Sequence, residues 1–199
     1  MLWSFNRQLN QKDISCKELQ WTGPWDWPSI NRGTEKLPKD QGVYIICFPY
    51  GDGYVIHSTG ITNNFQRRMM QHDRSFKKGQ YTILNTEKAM SGIREEVWHG
   101  WKYARDNQDE FKERKRDILD ALDIQLKGYK IFTVKLDDKR LRERLESAIM
   151  LNIYVQNTDW SDLQDRGMML RGRYTYEMPI KGLNKVPFRI YGLKEEIEF

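Results

Sequence analysis

The feature that most constrains this chain is a pair of apolar runs joined by a short glycine-rich turn. GVYIICF (42–48) and YVIHST (54–59) are rich in β-branched and aromatic residues, and PYGDG separates them. Runs of that composition favour strands, and so tight a connection makes them an antiparallel hairpin. Gly60 ends the second run. A helix follows, starting near Thr62 or Asn63, both capable N-caps, and running to about Lys78, before Gly79. YKIFTVKL (129–136) reads as a third strand. DDKRLRERLESAIMLNIYVQ then reads as an amphipathic helix capped by Asp137 or Asp138.

These elements predict an α/β domain, a small, mainly antiparallel three-stranded sheet flanked by helices, over residues 38–158. An insertion at about 81–127 is expected to add two helices, near 87–106 and 109–127. Residues 1–37 carry WTGPWDWP and are read as a tryptophan-rich N-terminal wrap anchored by aromatic burial. Residues 159–199 are read as a basic C-terminal segment of loops and short strands packing on the domain.

The formal charge of +5 over 199 residues is a mild basic excess, compatible with a polyanionic partner. It is unevenly spread. Arg67, Arg68, Arg74, Lys77 and Lys78 crowd one segment; Arg166, Arg171, Arg173, Lys181, Lys185 and Arg189 crowd another, interleaved with Tyr174, Tyr176, Phe188 and Tyr191. Two cysteines and three scattered histidines suggest neither a disulfide framework nor a zinc cluster, so a cytoplasmic setting is the default. No apolar run approaches membrane-spanning length.

Two helices place polar groups where apolar ones are expected. At about 100° per residue, Phe65, Met69 and Phe76 share a stripe. His72 falls inside it and Arg68 at its edge, one turn apart. An arginine fork with a histidine beside it suits a bound anion, but a structural pair satisfied by a carboxylate fits as well. In the later helix, Glu146 lies among Leu145, Ile149, Met150 and Ile153. A carboxylate there must be paired, with Arg142 for instance, or protonated, or bound to a metal.

The ordered set formed by LPKDQGVYIICF, the hairpin, STGITNNFQRRMMQH and LESAIMLNIYVQN resembles the GIY-YIG nuclease family over about residues 37–158. Gly42, Val43 and Tyr44 stand where the family has its first motif. Gly60, Thr62, Arg68 and His72 match the second block in spacing, Glu146 the metal-binding glutamate and Asn157 a later asparagine. One position departs: the family's second tyrosine falls on Ser58. Tyr54 shares that face by simple alternation, and His57 takes the opposite one.

The resemblance implies a Mg²⁺-dependent endonuclease, with Mn²⁺ a possible substitute, acting on double-stranded DNA. Glu146 would hold the cation, Tyr44 would accept a proton from the attacking water as a phenolate favoured by nearby positive charge, and His72 would assist. Arg68 would stabilise the transition state, Asn157 would position a phosphate or the carboxylate, and Ser58 or a water would fill the missing phenol's place. Arg67, Arg74, Lys77, Lys78, Arg171 and Arg173 are candidate DNA contacts, with the C-terminal segment the better backbone surface. Monomer and homodimer are both compatible. The alternative is a catalytically impaired nucleic-acid-binding module on the same fold.

Overall fold

The computed structural model describes residues 15–28, 36–166 and 169–199. The chain begins with strand β1 (Ser15–Asp26), followed by the hairpin β2 (Gly42–Tyr50) and β3 (Gly53–Thr62). Gly51 and Asp52 form the turn, and Gly51 takes φ +55, the left-handed conformation that a tight hairpin asks of its first central residue. Helix α1 (Phe65–Lys77) comes next. Its cap is Asn64, whose side chain accepts from the Arg67 amide at 2.8 Å, rather than either neighbour expected from the sequence.

The segment that follows departs from the expected pair of helices. It holds β4 (Ile83–Leu84), α2 (Thr86–Met90), β5 (Glu96–Trp98), α3 (Trp101–Asp106), α4 (Gln108–Glu113) and α5 (Lys115–Gly128). The stretch expected as one helix over 87–106 breaks at Gly92, which takes φ +80. The chain there turns back so that β5 pairs antiparallel with β4. The later stretch is two abutting helices, α4 and α5, rather than one.

Strand β6 (Lys130–Lys135) and helix α6 (Lys139–Tyr154) lie where the sequence places them. Asp138 caps α6, accepting from the Leu141 amide at 2.9 Å. A short 3₁₀ turn (Asp159–Asp162) precedes β7 (Ile180–Lys185), β8 (Ile190–Tyr191) and β9 (Glu196–Glu198).

The expectation of a small three-stranded sheet is corrected. The main sheet is mixed, curled and seven-stranded, in the order β8-β3-β2-β6-β1-β7-β9, beside the two-stranded β4–β5 sheet. The antiparallel hairpin and β6 form its middle. The tryptophan-rich segment adds β1, antiparallel to β6 and parallel to β7. The C-terminal segment adds the strands at both edges, with β8 parallel to β3 and β9 antiparallel to β7.

Burial explains the extra strands. Leu19 and Trp21 alternate inward along β1, and the buried Trp21 indole donates to Asn184 of β7 at 2.7 Å. Trp27 is fully buried and donates to Asp73 of α1 at 3.2 Å. Helix α6 packs on β2, β3 and β9, and α5 packs on α1 and the small sheet. The two helices with the unusual polar residues thus both meet the hairpin region. Among the described residues, no helix is long and apolar enough to cross a membrane.

Candidate active site

Tyr44 of β2 is 2 % exposed, and its hydroxyl lies 2.7 Å from His72 Nε2 on α1. Arg68 Nε, one turn before His72, donates to the same hydroxyl at 3.3 Å. We assign the Tyr44 proton to the bond with His72, because a guanidinium can only donate and the imidazole is neutral. Burial, together with the Arg68 charge, pushes His72 down to about 3. The result is a directed chain from Arg68 through Tyr44 to His72 Nε2.

Gly60 makes room for that chain. A Cβ at this position would lie 2.2 Å from the Tyr44 hydroxyl and 2.4 Å from its ring. No side chain fits under the phenol while the phenol holds this position. Thr59, beside it, donates to the Tyr44 carbonyl at 2.9 Å and fixes the strand from behind.

The phenolate expected from the sequence is corrected. Burial raises the Tyr44 hydroxyl to about 12, and Arg68 offsets only part of this. Tyr44 is therefore a neutral phenol whose proton already points at a base.

Glu146 of α6 lines the same cavity, which has a volume of about 170 Å³. It is half-buried and makes no hydrogen bond or ion pair among the described residues. Arg142 does not hold it: that guanidinium donates to the carbonyls of Leu136 (2.9 Å) and Asp137 (3.1 Å) and to Asn63 Oδ1 (2.9 Å). Burial raises the Glu146 carboxyl to about 7, with Glu143 adding to the rise and Arg68 opposing it. A carboxylate in this state takes up either a proton or a cation.

A divalent cation fits Glu146 on that ground. The second carboxylate lining the cavity, Asp165, is engaged by Arg94 and by the Trp101 indole, each at 2.6 Å. Among the described residues no group of three or more His, Cys, Asp or Glu side chains could hold a metal. One free carboxylate is compatible with Mg²⁺, which keeps several waters and takes further oxygens from a phosphate.

Ser58 lines the cavity, as its alignment with the missing tyrosine implies. The face assignments around it are corrected. Ile46 pairs with Ser58 and Cys47 with Ile56, so His57 is an extra residue in a bulge. The bulge resets the alternation and turns both His57 and Ser58 to the cavity. Tyr54 packs instead on Phe132 and Phe188, with ring centroids 5.1 and 5.8 Å away.

Asn157 lies outside this group. It is exposed beyond the end of α6 and does not line the cavity. Among the lining residues that escaped the sequence reading are Asp165 and three aromatic side chains. Tyr81 sits 5.4 Å from the His72 ring, and its phenol acts electrostatically on Tyr44 and Arg68. Trp101 lines the cavity while staying half-exposed, and Tyr129 stacks under His57 at 5.5 Å. Tyr81 and Trp101 belong to no periodic stripe or recognisable motif, and the folding of 79–101 back over α1 brings them in; Tyr129 opens the run read as the third strand.

Of the candidate DNA contacts, Arg67, Arg74, Lys77 and Lys78 lie exposed on α1 or at its end. Lys77 pairs with Asp73 at 2.7 Å, and Arg74 donates to the Met70 carbonyl at 3.2 Å. Arg171 is paired with Glu143 at 3.3 Å and Arg173 with Glu198 at 3.5 Å. Comparison with family models, with curated proteins and with solved structures finds no match to this chain.

Proposed function

We propose that the protein hydrolyses phosphodiester bonds in DNA with the help of a divalent cation at Glu146. The observation that carries this reading is the convergence of the Arg68–Tyr44–His72 chain and the unpaired Glu146 on one open cavity. The ordered motifs that resemble the GIY-YIG nucleases support it as well.

Arg68 is half-buried, and its guanidinium spends one donor on Tyr44, leaving other N–H groups for phosphate oxygens. Charge that develops on phosphorus oxygens is stabilised by such a preplaced cation. The Tyr44 oxygen can take a proton from an attacking water while its own proton passes to His72 Nε2. His72 is a weak base at rest because burial first, and the Arg68 charge second, disfavour its cation. A phosphate held by Arg68 cancels that positive field and raises the basicity of His72 when substrate is present. The relay is therefore gated by the substrate's own charge. A divalent cation on Glu146 would supply neutralisation of phosphate charge and stabilise the leaving oxygen.

The test is incubation of purified protein with duplex DNA in Mg²⁺ or Mn²⁺, beside Tyr44→Phe and Arg68→Ala. Cleavage by the parent and its loss in both variants is expected. Tight, cation-independent binding without cutting of any substrate would leave the binding module as the function.

A further inference from the structure

We propose that the groove formed by the end of α1 with α3, α4 and α5 is the track for the DNA phosphate backbone, and that Trp101 offers a stacking face where the track enters the catalytic cavity. This rests on the nuclease reading of the cavity. The groove has a volume of about 750 Å³ and no carboxylate lines it. Its cations are Lys77, Lys78, Arg105, Lys112 and Lys115. Among the described residues, Lys78, Arg105 and Lys115 have no ion-pair partner. Lys77 and Lys112 each have one, to Asp73 and Asp109, at 2.7 Å.

Unpaired cations gathered in a concave surface differ from a solvated helix face. Helices α4 and α5 also carry Asp109, Glu110 and Asp117, yet these do not line the groove. With three of its five cations free of acid partners, this surface attracts a polyanion and releases that polyanion's counterions on contact.

The groove adjoins the catalytic cavity, because Tyr81 and Trp101 line both. Trp101 is 49 % exposed, and its backbone takes φ +60, a conformation bulky residues rarely adopt. Its amide donates to Gln80 O at 2.9 Å and its indole to Asp165 at 2.6 Å, which hold it there. Its ring lies 5.2 Å from that of Tyr81. A large indole kept half in solvent beside a phosphate site, and anchored at both ends, presents a flat face to an unstacked base.

Most C-terminal cations compare poorly: among the described residues of that segment only Lys185 and Lys194 have no ion-pair partner, and the groove they line also carries Glu195 and Glu196. Arg171 and Arg173 are paired with acids, as are Lys181 with Glu196 at 2.7 Å and Arg189 with Asp52 at 3.3 Å. A polyanion must break those pairs before it gains anything.

The experiment is fluorescence anisotropy of a labelled duplex with full-length protein in EDTA, where no cutting occurs, over a range of salt. The triple variant Lys78→Gln, Arg105→Gln, Lys115→Gln should weaken binding about tenfold or more on every sequence, and flatten the log–log salt dependence by about 0.9 per lost cation. The double variant Arg171→Gln, Arg173→Gln should bind nearly as the parent does. Parent-like binding by the triple variant, or a loss that follows the double variant instead, overturns the track. A parent that binds through the groove but cuts nothing refutes the nuclease reading and keeps the track. A parent that cuts DNA and whose triple variant binds undiminished refutes the track alone. A parent that binds no DNA refutes both.

Discussion

At the scale of single residues, the site depends on groups held away from their ordinary protonation. Glu146 sits at about 7 in the folded protein against 4.5 for a free side chain. Between those values the folded state holds a proton that the unfolded state has released, so this residue lowers stability as pH rises through 7. Glu146→Gln should therefore melt no lower than the parent at pH 8 without cation. The parent's melting temperature should climb on adding Mn²⁺ and the variant's should not. A large drop in the variant without cation would mean the carboxylate is structural. His57 behaves with the opposite sign. Burial lowers it to about 4 and neither ring nitrogen has a hydrogen-bond partner among the described residues. The unfolded chain takes up a proton below about 6.5 and the folded one does not, so stability falls as pH drops from there towards 4. His57→Phe, set against Phe48 and Tyr129, should lessen that acid loss; equal pH slopes in the two proteins would contradict it. Gly60→Ala puts a methyl where the Tyr44 hydroxyl stands, and is expected to retain the fold while cutting activity at least tenfold. Unchanged activity would show that the Tyr44 position is not needed.

At the scale of elements, what was legible followed from pattern and what was not followed from context. The hairpin, α1, β6 and α6 each carry a period and a cap within their own sequence, so local reasoning placed them. Strand β1 hides behind Gly23 and Pro24, and its inward alternation rests on only Leu19 and Trp21. Strand β7 reads IKGLNK, with a glycine and an asparagine that disfavour strand in isolation; pairing with β1 and β9 decides it. The fold of 87–106 turned on Gly92, whose positive φ a helical pattern cannot announce. In the site, misplaced polarity pointed to Arg68, His72 and Glu146, and the motif resemblance added Tyr44 and Ser58. The cavity side of His57 was not legible, since a bulge leaves no mark in the alternation it shifts. The β1–β7 pairing makes its own prediction. Asn184 accepts from Trp21 and donates to the Lys194 carbonyl at 2.7 Å, both inside the structure. Asn184→Leu strands both partners and should cost about 1–3 kcal/mol in urea denaturation; a loss below a few tenths would show the edge strands to be loosely attached.

At the scale of the whole molecule, a mixed sheet carries a cavity on the side where α1 and α6 meet the hairpin, and the inserted helices form a basic groove beside it. The C-terminal strands close both sheet edges, and Arg171, Arg173, Lys181 and Arg189 of that segment are spent on local acids. Chemistry and charge therefore sit on the same side, along the insertion. The central claim is that this side cuts DNA through Tyr44, His72, Arg68 and Glu146. The most direct measurement is conversion of supercoiled plasmid by the purified protein in Mg²⁺ or Mn²⁺, compared with EDTA and with Tyr44→Phe and Glu146→Gln. Nicked or linear product that requires the cation and disappears in both variants is the predicted result. Intact plasmid under every condition, or cutting that survives both substitutions, would contradict it.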